Sequence, residues 1–443
     1  MADLEPLYSA EEMRAAEAGH DVEAMMQRAG AAVAEELMRR FPDARRIALH
    51  AGGGANGGDG RIAAEILRAQ GRELVDERPD VAIDALLGTG LKDAPREETA
   101  RVIEQINGGG VPVLAVDIPS GVNASTGEVA GAAVRAGVTV TMHGPKVGLA
   151  VAPGRFHAGE VAVAEIGLEP AETEHRLVTP EILAEVPRRS PGDNKYTAGH
   201  VLVVGGSKGM TGAPALAARA ALRADAGYVT IAAPAQSLPV LETLVLEAVK
   251  RPLEEVLDAA ARAKALAVGP GLGRGPDAKA LVRRLLTEVE VPAVVDADAL
   301  FELEPADWPA PRVLTPHEGE LGRLLGRDSK EIAAHRLAAA REAAERFGCV
   351  VVLKGEDSLV AAPGRGVLVS ALGLPSLSTA GTGDVLTGVT AAFLAKGVEP
   401  QRAAAAACAA QQLASHEAEQ RYGLVASDVV EALPRALGRH TRE

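Results

Sequence analysis

Aromatic residues are nearly absent from this chain: Phe, Trp and Tyr together make up 2% of its 443 residues. Base-stacking platforms for nucleic acid are thereby excluded as an organising feature. The cores must be built from Val, Leu, Ile and Ala, which carry most of the 47% apolar content. Basic residues are also scarce, 46 against 60 acidic. The resulting net charge of −14 argues against a nucleic-acid or anionic-membrane surface, while leaving room for a local basic pocket around a phosphate. Only two cysteines occur. Cys349 precedes an apolar run and Cys408 lies in an Ala-rich stretch, so both read as small core residues of a reducing compartment. No metal-ligand cluster is visible. No apolar run approaches a membrane span, and the amino terminus, Met1-Ala-Asp-Leu-Glu-Pro6, is acidic and lacks an apolar leader core. The expected location is the cytoplasm, with neither membrane nor nucleic acid as a partner.

What the chain does have is length and rhythm. It exceeds one ordinary core, and short Val-rich strands alternate with helical patterns throughout, which predicts two α/β domains. Residues 180–191, rich in Pro and Arg, read as a helix and a linker. The boundary is expected near Pro187, dividing 1–187 from 188–443. In the first half, Ser9-Ala-Glu-Glu12 has capping-box spacing and residues 22–40 have a helical pattern. Residues 46–51 predict a strand, Gly52 to Gly60 a loop, and 62–70 a helix. Gly52, Gly54 and Gly57 satisfy a dinucleotide-binding pattern, with Asp76 where a ribose-binding acid belongs, so a dehydrogenase is one reading. Asn56 and Asp59 argue against it, because a plain pyrophosphate turn needs no such side chains. Three further strands, over 81–87, 111–116 and 138–142, end in Gly88-Thr-Gly90, Asp117-Ile-Pro-Ser-Gly121 and Gly144-Pro-Lys146. In an open parallel sheet such ends line one crevice, so Asn56, Asp59, Asp84, Thr89, Asp117 and Ser120 can converge.

The second half resumes with a strand over 201–204 and an Ala-rich helix opened by Thr211-Gly-Ala-Pro214. Strands follow over 229–233, 265–268, 293–295, 313–314 and 350–353. Their ends are again polar: Gly269-Pro-Gly-Leu-Gly273, Asp296-Ala-Asp298, Thr315-Pro-His317-Glu-Gly-Glu320 and Lys354-Gly355. They lead to Thr379-Ala-Gly381-Thr-Gly-Asp384-Val-Leu, which joins a glycine-rich helix start to an acid. Open amides there can hold a phosphate, and Asp384 can take the proton of an attacking hydroxyl. This is kinase-type chemistry without a Walker sequence.

Two resemblances sharpen these readings. Gly54-Ala-Asn-Gly-Gly-Asp-Gly60, Asp84-Ala-Leu-Leu-Gly-Thr-Gly-Leu91 and Asp117-Ile-Pro-Ser-Gly121 resemble, in order, the motifs of NAD(P)H-hydrate epimerases, whose fold is a Rossmann-like three-layer sandwich. By that resemblance Ala55, Asn56, Gly57, Gly58 and Asp59, the loop Gly88, Thr89, Gly90, Leu91, Lys92, Asp93 and Ala94, and Asp117 contact a hydrated nicotinamide nucleotide. Asn56, Asp84 and Ser120 bind potassium, and Asp117 is the acid/base candidate. The family usually has Asn where this chain has Ala55, and its extra helix and strand are shortened here to residues 71–80. The second half resembles the ribokinase-like NAD(P)H-hydrate dehydratases. By that resemblance Ala213, Gly273, His317 and Asp384 contact the hydrate. Lys354, Gly355, Glu356, Asp357 and Ser358, with Gly381, Thr382 and Gly383, hold ADP; Asp384 is the base, and magnesium neutralises the phosphoryl group. Here the departures are Glu318 where Pro is common, Asn194 and Tyr196 in a segment that is usually His-Lys-Gly, and the run before Thr379. Together the halves resemble bifunctional repair enzymes that epimerise R and S hydrates of NADH or NADPH and dehydrate the S form with ADP, as homo-oligomers, with a tetramer expected. The rival readings are a small-molecule kinase fused to a nucleotide-binding domain, which predicts a stable phosphorylated product, and a nucleotide sensor, which predicts binding without turnover.

Overall fold

The computed structural model describes residues 4–440. Pro6–Arg176 with Ala333–Leu337 form one compact unit, called the front unit here, and the rest of the described chain forms the back unit.

Six parallel strands make the front sheet, in the order Glu73–Leu74, Arg46–Ala51, Val81–Ala85, Val113–Val116, Val138–Met142 and Glu160–Ala164. Val81–Ala85, Val113–Val116 and Val138–Met142 are buried throughout. Layers on both faces explain their unbroken apolar runs. Ile47 and Ile83 pack with the helices Val22–Arg40 and Ala55–Ala69, while Ala48 and Ala82 pack with Ile103 and Ile106 of Glu97–Gly108. The result is a three-layer sandwich. Its strand order reverses between Arg46–Ala51 and Val81–Ala85, where His50 pairs in register with Asp84, and the crevice at such a switch point is a natural ligand site.

One helix starts earlier than its sequence predicts. The Ala55–Ala69 helix takes in Asn56 to Gly60, which the glycine count assigned to a loop. Close approach overrides propensity here: a Cβ on Gly57 would stand 2.0 Å from the Gly52 carbonyl oxygen, so only glycine lets the helix begin against the strand end. The helix Val22–Arg40 has the expected bounds, with Asp21 as its N-cap, and Ser9 and Glu12 form the expected capping box.

The back unit's strands run Leu368–Ser370, Ser358–Ala361, Val350–Leu353, Arg312–Leu314, Ala293–Val295, Ala265–Val268, His200–Val204, Tyr228–Ala233 and Val249–Pro252. All pair in parallel except the three at the start of that order, which are joined antiparallel. The core behind them is made of Ala and Val, as the aromatic shortage requires. Pro400–Glu417 is buried from Ala403 through Gln412, and Thr382–Ala395 from Val385 to its end. Gly388 sits where a Cβ would meet the Ala217 carbonyl oxygen at 2.1 Å, so Thr382–Ala395 packs directly on the backbone of Gly212–Arg223. Residues 180–185 form a short 3-10 helix whose Ile182 and Leu183 belong to this core. Sequence reading passed over the strands Glu160–Ala164, Val249–Pro252, Ser358–Ala361 and Leu368–Ser370. Glu160–Ala164 shows most of its length to solvent and so has no buried pattern, and the others are only three or four residues long.

Candidate active sites

In the back unit, Gly381 is the N-cap of Thr382–Ala395, at φ 91°, a left-handed conformation that favours glycine; no side chain caps this helix. Its first amides are left open to an anion. The turn is pinned from two sides: the Thr382 hydroxyl donates to the carbonyls of Leu377 (3.1 Å) and Thr379 (2.9 Å), and Gln411 Nε2 donates to the Thr382 carbonyl. Asp384 lies in the first turn. Burial foremost, then the charges of Asp296 and Asp298 against that of Lys354, raises its pKa to about 7. A carboxyl balanced there is suited to proton transfer at neutral pH.

An ion pair stands beside it. Asp296 follows the strand Ala293–Val295; its Oδ1 accepts from Lys354 Nζ at 2.8 Å and its Oδ2 from the Thr387 hydroxyl at 2.8 Å. Lys354 Nζ is also 3.7 Å from Glu320. Burial alone would lower the lysine's pKa, but Asp296 and Glu320 outweigh it and raise it; Lys354 in turn holds the buried Asp296 below the usual carboxylate range. A Cβ on Gly383 would be 3.4 Å from Lys354 Nζ, so ammonium and helix start are adjacent.

A cleft of about 530 Å³ opens here, walled by His317, Lys354, Gly355, Glu356, Ser358, Thr382, Gly383 and Gln411 among others. Asp357 is buried, and the wall at that point is made by its neighbours. His317 has a structural duty as well: its Nδ1 accepts from the Gly319 amide at 3.0 Å, capping Glu318–Leu325, while Glu320 accepts from the His317 amide at 2.9 Å. Its ring remains more than half exposed. Ala213 begins the Gly212–Arg223 helix and lies close to Gly271. The Gly273 amide donates to Asp298 Oδ2 at 2.9 Å, which ties this loop to an acid that acts on Asp384.

The front crevice holds two groups of residues. In the first, Asp84 is fully buried and is reached by neutral donors: the Ser120 hydroxyl at 2.6 Å, the Ser120 amide at 2.8 Å and the Leu86 amide at 3.3 Å. Burial outweighs those hydrogen bonds and raises its pKa to about 6. Asn56 donates to the carbonyls of Val116 (2.6 Å) and Leu87 (3.2 Å), and a Cβ on Gly88 would press on its Oδ1. In the second, Asp117, at φ 65°, accepts on Oδ1 from the Met142 amide (3.0 Å), the Thr141 hydroxyl (3.1 Å) and Lys146 Nζ. Lys146 is wholly buried. Asp59, also buried, has its pKa raised to about 7, first by burial and then by Asp117 and Glu17. Its Oδ1 is buried without a hydrogen-bond partner. Ala55, Gly90, Lys92, Asp93 and Ala94 are exposed, and Gly58, Gly88, Thr89 and Leu91 partly so, around the crevice mouth.

Comparison with known proteins finds relatives for both halves of the chain. A family model described as YjeF-related protein N-terminus matches residues 22–77 and 72–148, and one described as NAD(P)H-hydrate dehydratase matches 201–435. A bifunctional NAD(P)H-hydrate repair enzyme of Salinibacter ruber is 40% identical over 81% of this chain and 72% of its own length. The chain belongs to the bifunctional NAD(P)H-hydrate repair enzyme family. It is thus an enzyme with an epimerase half and a dehydratase half. An ADP/ATP-dependent NAD(P)H-hydrate dehydratase of Bacillus subtilis, crystallised with ATP and Mg²⁺, is 30% identical at a TM-score of 0.54, over 59% of this chain and 97% of that one. A ribokinase-like protein of Enterococcus faecalis, 23% identical with a TM-score of 0.55 over 62% of this chain and 99% of its own, shares the fold.

The structure thus gathers Asn56, Asp84 and Ser120 in one place, sets Asp59 near Asp117, and collects the Lys354 and Gly383 segments around one cleft. Sequence reasoning missed the partners that set the charge of these groups. Lys146 and Asp296 were visible as polar strand ends, but nothing in the chain order announces that each pairs with another site residue. Glu17, Thr387 and Gln411 gave no signal, because each sits inside an ordinary helical pattern.

Proposed function

We propose that the front half interconverts the R and S forms of hydrated NADH or NADPH and that the back half returns the S form to NAD(P)H at the expense of ADP, giving AMP and phosphate. The observation that carries this is Asp384: a carboxyl brought near neutrality, in the first turn of an uncapped glycine-led helix, beside a nucleotide-sized cleft. Asp384 takes the proton of the ring hydroxyl as that oxygen attacks the terminal phosphoryl of ADP. The amides around Gly381 to Gly383 hold the transferring group, and phosphate then leaves to restore the reduced ring. Lys354 to Ser358 hold the nucleotide, while Ala213, Gly273 and His317 contact the hydrate.

Among the described residues no group of three or more His, Cys, Asp and Glu side chains gathers for a metal. Magnesium fits as an ion carried mainly by the nucleotide's phosphates with a single carboxylate, Glu320 or Asp384, beside it. When bound it supplies positive charge to the phosphoryl oxygens. In the front half, Ala55 to Asp59, Gly88 to Ala94 and Asp117 face the hydrate. Potassium fits Asn56, Asp84 and Ser120, because a buried carboxylate among neutral oxygen and amide groups is left with charge to balance, and hard cations take oxygen donors. Its role there is to orient the nucleotide.

Both cysteines are free and buried, and among the described residues no helix is long and apolar enough to cross a membrane; we place the protein in the cytoplasm. We also expect a homo-oligomer, a tetramer by resemblance, for which exposed Val240, Leu244 and Leu246 offer an apolar face. Incubation with both hydrate epimers, ADP and magnesium, followed by the reduced-nicotinamide absorbance, tests the reading. Full recovery of both epimers is expected. A stable phosphorylated product, or binding without turnover, would replace it with the kinase or the sensor.

A further inference from the structure

We propose that Asp59, and not Asp117, is the catalytic carboxyl that exchanges a proton with the hydroxyl of the epimerising ring carbon, with Asp117, anchored by Lys146, as its neighbour. This rests on the epimerase reading above.

Asp117 is already engaged through one oxygen. Its Oδ1 accepts from the Met142 amide at 3.0 Å, the Thr141 hydroxyl at 3.1 Å and the buried Lys146 ammonium. Three donors fill the lone pairs of that oxygen and leave it no room for a substrate hydroxyl. Asp59 is the reverse. It is 6% exposed, yet its Oδ1 has no hydrogen-bond partner. A buried polar atom left unpaired costs about 1–3 kcal/mol, so it persists where a ligand supplies the missing donor. A substrate hydroxyl is such a donor. Asp59 lies in the second turn of Ala55–Ala69, one turn beyond Asn56 and the glycines at the crevice mouth.

The charges around it agree. Burial, with the charges of Asp117 and of Glu17 at the end of the helix Ala10–Glu17, raises its pKa to about 7. Val22–Arg40 packs on the same helix through Met26 and Gly30, neither of which titrates. A group near neutrality can both take a proton and return it, which an epimerisation demands.

The chemistry balances. Water adds to the enamine double bond of a dihydronicotinamide with its hydroxyl on the carbon bonded to the ring nitrogen. When Asp59 takes the hydroxyl proton, the O–H bond breaks, a carbonyl forms, and the carbon–nitrogen pair is released to the nitrogen. Closure on the other face of the carbonyl re-forms the carbon–nitrogen bond, and Asp59 returns the proton. No oxidant or further reactant is consumed.

The test is the pH profile of epimerisation in the whole protein with potassium present. Wild type should show a rising limb near neutrality. Asp59→Asn should lose at least 100-fold in rate together with that limb while still binding the hydrate in a titration, and Asp59→Glu should recover part of both. Glu17→Gln should move the limb to lower pH, since removing a negative neighbour eases ionisation of Asp59. An Asp59→Asn protein within tenfold of wild type, or one that keeps the limb while Asp117→Asn loses it, would overturn the assignment. A wild type that never interconverts the epimers would sink the epimerase reading and this assignment together; normal wild-type epimerisation with an indifferent Asp59 sinks only the assignment.

Discussion

The two units reach a similar electrostatic arrangement from different starting points. In the front, buried Lys146 pairs with Asp117 near Asp59; in the back, Lys354 pairs with Asp296 near Asp384. Each lone carboxyl is raised to about 7 by burial and by the acid of the adjacent pair. The difference lies in what surrounds them. The back helix begins with open amides at a cleft, which suits a phosphoryl group, whereas the front helix is driven against a strand end and has close by the buried acid Asp84, bonded by neutral donors. On the proposed reading, similar proton chemistry serves phosphoryl transfer in one unit and none in the other.

The largest expected effect separates the two ion pairs. Removing one member of a buried pair typically costs about 3–5 kcal/mol, because the other charge is stranded. Lys146→Met should lose that much, and Lys354→Met less, since the Lys354 side chain is 20% exposed against 1% for Lys146. Denaturant midpoints of the two units would read this. Equal losses would mean that the pairs are not graded by burial. Adding Asp117→Asn to Lys146→Met should restore much of the front unit's loss, since an amide is neutral, keeps an acceptor for the Met142 N–H and tolerates φ 65°.

Next comes Asp384→Asn, which keeps the shape and removes the proposed base. Dehydration should fall by at least about two orders of magnitude while nucleotide binding survives. The same change carries a pH signature. With a folded pKa raised to about 7 from the ordinary carboxyl value of 3.8, Asp384 contributes stability that is fully present below the unfolded value and is lost as pH rises through 7. The ligand-free protein should therefore lose stability between about pH 4 and pH 8, and Asp384→Asn should flatten that slope by an amount on the order of a few kcal/mol. A slope unchanged in the variant would assign the titration elsewhere.

These effects also mark how far the chain could be read. Buried strands such as Val138–Met142 and Val350–Leu353 announce themselves as short Val-rich runs, and the Gly-Thr-Gly-Asp helix start carries its chemistry in adjacent residues. The start of Ala55–Ala69 was hidden, because three glycines within residues 55–60 read as a loop until the strand end they press against is in place. The Lys146 and Lys354 pairs were hidden for another reason. Each joins residues 29 and 58 positions apart, and a strand-end lysine looks the same whether it meets solvent or a buried acid.

A smaller effect distinguishes the front's second acid. A proton and potassium should compete for Asp84, whose carboxyl is raised to about 6 by burial. Potassium stimulation of epimerisation should fade as pH falls through 6 and be absent in Asp84→Ala, with dehydration of the S epimer unchanged in that variant. Stimulation that persists in Asp84→Ala would place the cation elsewhere.

The smallest effect concerns Ala55, the first residue of the front helix and an exposed one. The resemblance gives this position an amide, and this chain has a methyl group. Asn56, Asp84 and Ser120 keep the polar atoms proposed for the cation, so the loss falls on a substrate hydrogen bond alone. One neutral hydrogen bond is worth about 0.5–1.5 kcal/mol, a factor of a few to roughly tenfold in binding. Ala55→Asn should therefore tighten the hydrate by that factor, seen in KM, with kcat and potassium affinity little changed. The back site offers the control, since its cleft contains no counterpart of this position. If Ala55→Asn instead raised kcat by orders of magnitude from a trace, the native front unit would be a degenerate site, and the likeness between the two carboxyls would be one of electrostatics without shared activity.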